Sequence, residues 1–142
     1  MEKKKLKRFG FTDCLLAGAS ILYLVLMMLV FRSCGPMEDG TWMSCHWAHR
    51  GVEAFAVALL LQSLLHLVFS EPHRKQGISF AMVATAFMSM LIPGRFISLC
   101  MMADMKCHKL MLPGTLVLSI LVILAAAVDI IVQIKRVKEQ KA

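Results

Sequence analysis

Cys34, Cys45, Cys100 and Cys107 are the residues best equipped for chemistry in this chain, and His46 and His108 directly follow two of them. Thiolate, thioether and imidazole donors suit soft cations such as Cu(I), and Met43 and Met105 precede the two cysteine–histidine pairs by two positions. Covalent c-type haem is excluded because no C-x-x-C-H is present. Methionine also recurs in apolar stretches, at Met27, Met28, Met82, Met88 and Met90, which fits flexible packing as well as it fits ligation. The plainer expectation is therefore two disulfides and no metal. The natural pairing is local, Cys34 with Cys45 and Cys100 with Cys107, although four cysteines allow three connectivities and spacing does not choose among them.

A second group of polar residues sits where charge is costly. His46, His49, Arg50 and Glu53 recur at helical spacing and share one face. Glu53 calls for a partner, and Arg50 or Arg95 could supply it. The group reads either as an interface ion pair or as a polar face for a ligand. His66 and Asp129 lie four or five residues from the ends of two apolar stretches. They are candidates for a buried hydrogen-bonded pair, with Gln62 and Gln133 nearby. The plain role of such a pair is to hold helices together. Proton relays use the same groups, but two residues do not make a relay.

The elements that must position these residues are set by composition. Of 142 residues, 58% are hydrophobic and only 18% charged, and the mean hydropathy is +0.70. A soluble domain of this size could not hide so much apolar surface in one core. Four apolar stretches, residues 11–31, 51–69, 78–97 and 111–134, each approach the roughly 20 residues that cross a hydrocarbon core as a helix. None alternates strictly, so barrel strands are not indicated. The backbone of a span in lipid must satisfy its own hydrogen bonds, which makes these helices. The expected fold is a single all-α membrane domain of four transmembrane helices, with lipid around it and outer loops at residues 32–50 and 98–110. The first stretch is too long for a signal-peptide core and no A-x-A site follows it, so it is expected to remain as a helix. Pro93-Gly94 should end or kink the third helix, and Pro113-Gly114 should mark the start of the fourth.

The net charge of +7 then reads as topology. Lys3, Lys4, Lys5, Lys7, Arg8, Arg74, Lys75, Lys135, Arg136, Lys138 and Lys141 fall on one side of an even-numbered bundle. Only Arg32, Arg50, Arg95, Lys106 and Lys109 fall on the other. The positive-inside rule therefore puts both termini in the cytoplasm of a cell-membrane protein, with Trp42 and Trp47 near the outer interface. No basic stripe alternates with aromatics in a soluble segment, so nucleic acid is not expected as a partner. The two outer loops share a first cysteine, an acidic residue and then M-x-C-H ahead of a helix. The chain thus reads as two parallel repeats of helix, cysteine loop and helix.

Cys34-Gly-Pro-Met-Glu-Asp-Gly, the M-x-C-H-W that follows, Ile-Pro near the end of the third span, the second M-x-C-H and the Leu-Pro-Gly before the fourth helix resemble an uncharacterised family of small prokaryotic four-helix membrane proteins. Genes of that family often lie beside ABC transporters whose permease is similar to the MacB/FtsX type. The resemblance implies a non-enzymatic accessory subunit, in a hetero-complex with such a permease. In layout the chain also resembles the quinone-linked thiol oxidases of the DsbB type, which implies a thiol–disulfide oxidoreductase as the enzyme alternative. A redox-active pair of that class usually shows C-x-x-C, and spacings of eleven and seven favour structural bridges. A metal- or haem-binding membrane protein using the outer Cys, His and Met residues is the third reading. No C-x-x-C, nucleophile–base pair or phosphate loop points to an enzyme. Small residues at positions 17–20, 54–58, 81–86 and 125–127 allow close helix approach, within the bundle or with a partner.

Overall fold

The computed structural model describes residues 10–99, 104 and 107–141. The described residues form an all-helical fold with no strands. Its helices are α1 (Phe11–Leu29), α2 (Ser44–Val68), α3 (Pro72–Leu91) and α4 (Leu112–Lys141). Each helical segment is long and apolar enough to cross a membrane. Against the apolar stretches read from composition, α2 begins earlier, at Ser44, α3 is shifted to Pro72–Leu91, and α4 continues to Lys141. Pro72 stands in the first turn of α3, where its missing N–H costs nothing.

The helices form a ring in which α1 packs on α2 and α4, and α3 packs on α2 and α4. Beside an apolar core that includes Leu16, Met27, Leu59 and Met82, the bundle buries polar side chains and turns apolar ones outward. Ser20, Ser63, Ser79, Ser89, Thr115, Ser119, Asp129 and Gln133 are buried, while Ile21, Leu61, Phe80, Leu121, Leu124 and Ile131 are about half exposed. In water such an apolar exterior would be an aggregation surface; in lipid it is the solvated face. The chain is a multi-pass membrane protein.

Two glycine positions shape one end of the bundle. After α3 the chain makes a π-turn over Ile92–Phe96, with Gly94 at φ +92°, a conformation open to glycine and costly for other residues. At Gly114, an added Cβ would lie 2.5–2.8 Å from three carbons of the Phe31 ring. The end of α1 therefore packs directly on the backbone of α4.

Tyr23 ties three helices together in the middle of the bundle. It is fully buried on α1, and its hydroxyl lies 2.5 Å from Ser89 Oγ on α3 and 3.3 Å from Ser119 Oγ on α4.

Candidate functional sites at the two ends of the bundle

At the end where α1 begins and α4 finishes, four ionisable side chains from four helices meet. Asp13 is the third residue of α1, and its Oδ2 accepts the Gly10 N–H at 3.1 Å, closing the N-terminal turn as an N3 acid does. The same carboxylate accepts Lys75 Nζ of α3 at 2.8 and 2.7 Å. His66 of α2 stands between two acids. Its Nδ1 is 3.2 Å from Asp13 Oδ1, and its Nε2 is 2.9 Å from Asp129 Oδ2 of α4. Ser79 Oγ donates to Asp129 Oδ2 at 2.6 Å, and Gln133 Nε2 reaches Oδ1 at 3.3 Å. Gln62 points elsewhere and donates to Thr85 Oγ1 on α3 at 2.9 Å.

Lys75, counted from sequence among the basic residues of one side, has a structural role as well. Lys75 is 6% exposed and is spent on Asp13. Its long stem lets a residue in the first turn of α3 reach across the ring. Asp13, Lys75 and Ser79 were all absent from the candidate residues read from sequence. The one available signal was an acid, Asp13, just inside the first apolar stretch, where an unpaired carboxylate would be costly. Asp13, His66 and Asp129 are close enough together to surround a cation. However, the Lys75 ammonium already contacts both oxygens of Asp13, and Ser79 and Gln133 already donate to Asp129. The cluster is built as an internal charge and hydrogen-bond network joining four helices.

At the opposite end, the polar face of α2 divides. His49 is buried, and its Nε2 donates to the Met27 carbonyl at 3.0 Å. Met27 lies in the last turn of α1, where carbonyls lack intrahelical partners, so His49 caps a neighbouring helix. Glu53 Oε1 lies 3.6 Å from His49 Nδ1, and its Oε2 accepts Arg50 Nη1 at 3.0 Å. Arg50 is thus the partner of Glu53, and its guanidinium side chain is mostly exposed. His46 leaves this set: its ring stacks on Trp42 at 4.0 Å between centroids and meets Trp47 edge-on at 5.8 Å. Its Nδ1 is 3.4 Å from Ser33 Oγ. His108 follows Cys107 in the π-turn Cys107–Met111 that leads into α4.

Of the two local pairings, only Cys34 with Cys45 lies among the described residues, and it is not formed. Cys14, Cys34, Cys45 and Cys107 are not in disulfides. Cys34 Sγ lies 3.3 Å from Cys107 Sγ, and the sulfurs of Cys34, Cys45 and Cys107 gather within 4.8 Å of one another. Cys100, the expected partner of Cys107, lies outside the described residues, as do residues 101–103, 105 and 106 of its loop. The π-turn before α4 lies beside the first turn of α2 and the segment that leaves α1, which brings three sulfurs distant in sequence together. Both cysteines of the M-x-C-H pattern, Cys45 and Cys107, are fully buried at the start of a helical segment.

A further feature lies on the lipid-facing side. A groove of about 390 Å³ runs between α1 and α4, with Leu15, Ala19 and Leu22 on one wall and Leu121, Ala125 and Val128 on the other.

A family described as a domain of unknown function, DUF4418, matches residues 15–132, and the chain belongs to that family. No curated protein matches the chain, and no solved structure does.

Proposed function

We propose that this DUF4418 membrane protein is a non-enzymatic accessory subunit that docks laterally on a larger membrane complex, with both termini in the cytoplasm. The groove between α1 and α4 carries the reading. Ala19 and Ala125 face each other across it and make room for a third helix to approach closely, which is how helices associate where lipid removes the hydrophobic drive. Leucines on both walls supply the packing surface. The polar networks at the two ends of the bundle act as internal supports, since each buried acid is already paired within the chain. A permease similar to the MacB/FtsX type is the partner that the sequence resemblance supports.

Photocrosslinking in the native membrane tests this. A photoreactive residue placed at Leu22 or Leu121 should capture a partner polypeptide, identified by mass spectrometry. The same probe at Phe80 or Phe87, exposed on α3 across the ring from α1, should capture lipid. Lipid adducts alone at all four positions, together with a stable monomer on purification, would sink the subunit reading.

A further inference from the structure

We propose that Cys34, Cys45 and Cys107 form a binding site for one thiophilic d10 cation, Zn(II) or Cu(I). The three sulfurs come from three separate places: the segment after α1, the first turn of α2 and the π-turn before α4. They nevertheless lie within 4.8 Å of one another. A cation at the usual zinc–sulfur distance of about 2.3 Å holds its sulfurs roughly 4 Å apart. Small side-chain adjustments therefore suffice to place an ion between them.

Three thiolates make a trigonal Cu(I) site or three-quarters of a tetrahedral zinc site. Burial fits as well. Cys45 and Cys107 are fully buried and Cys34 is partly exposed, so the set is shielded on two sides and approachable from the third. For zinc, a water would complete the set. The thiols lose their protons on ligation, so binding releases protons and weakens as pH falls.

The test uses the full chain, purified in detergent and kept reduced, with separate titrations of Zn(II) and of chelator-buffered Cu(I). One ion per chain is expected in at least one arm, and that arm identifies the metal. Cys34→Ser, Cys45→Ser and Cys107→Ser should each weaken binding by more than the roughly 10- to 100-fold that changes outside a ligand set cost. Cys14→Ser should leave it unchanged. A second readout needs no variant: on the wild-type chain, the bound ion should slow alkylation of Cys34, Cys45 and Cys107 together and leave Cys14 unaffected. The proposal is overturned by no ion in either arm, by protection that omits any of the three, or by a Cys34–Cys107 disulfide in the isolated protein that binds no ion after reduction.

Discussion

Lys75 Nζ lies within 2.8 Å of both carboxylate oxygens of Asp13, although the two residues are 62 positions apart. Both are almost fully buried. Removing one partner from such a pair leaves an uncompensated buried charge, at a cost of about 3–5 kcal/mol. Asp13→Asn and Lys75→Met should each lower the melting temperature in detergent sharply. The double variant should recover much of the loss. If the two losses simply add, Asp13 and Lys75 are not energetically coupled.

Tyr23→Phe keeps the ring and deletes the hydroxyl shared by Ser89 and Ser119. Serines on helices can turn back to their own backbone carbonyls, so the expected loss is modest, about 1 kcal/mol. Equilibrium unfolding should show it, with little change in helix content. A loss above about 3 kcal/mol would mean that the serines cannot re-pair.

His49→Ala should uncap the end of α1 by removing the donor to the Met27 carbonyl. The cost of that unpaired buried carbonyl is about 1–3 kcal/mol. His49→Gln can still donate and should restore part of it. Hydrogen exchange should quicken first in the last turn of α1.

Gly114→Ala brings a methyl group into the Phe31 ring, and overpacking of this kind costs about 1–3 kcal/mol. Combining it with Phe31→Leu should relieve the clash. Thermal melts of the two single variants and the double variant decide this, and an unaffected Gly114→Ala would mean that Phe31 can swing aside freely.

A fluorescent protein that matures only in the cytoplasm, fused after Ala142, should be bright. A dark fusion, with a periplasmic reporter active at the same point, would reverse the proposed topology.

Four helices were legible in the sequence because each apolar stretch is long and nearly uncharged. Their ring order was not, since hydropathy says nothing about which span neighbours which. The same gap hid the sites. Arg74 and Lys75 look alike as neighbouring charges between two spans, yet Lys75 is buried against Asp13 while Arg74 remains exposed, with its guanidinium 5.6 Å from the Phe69 ring. Depth along a helix can be counted for His66 and Asp129, but no local count joins Asp13 to residues on three other helices. For the cysteines, short loops favour local closure, and only the packing of the segment before α4 brings Cys107 to Cys34.

The four-helix charge network also imposes an order on biogenesis. Asp13 enters with the first helix, before Lys75 has been synthesised, and its place in the first turn of α1 leaves an unpaired acid near interfacial water. Asp129 arrives only with the last helix and completes the set around His66. A ribosome-bound intermediate ending near residue 70 should therefore hold α1 loosely, with Asp13 open to water. Asp13 gains its ion-pair partner with α3, and the shared network closes around His66 only when α4 brings Asp129.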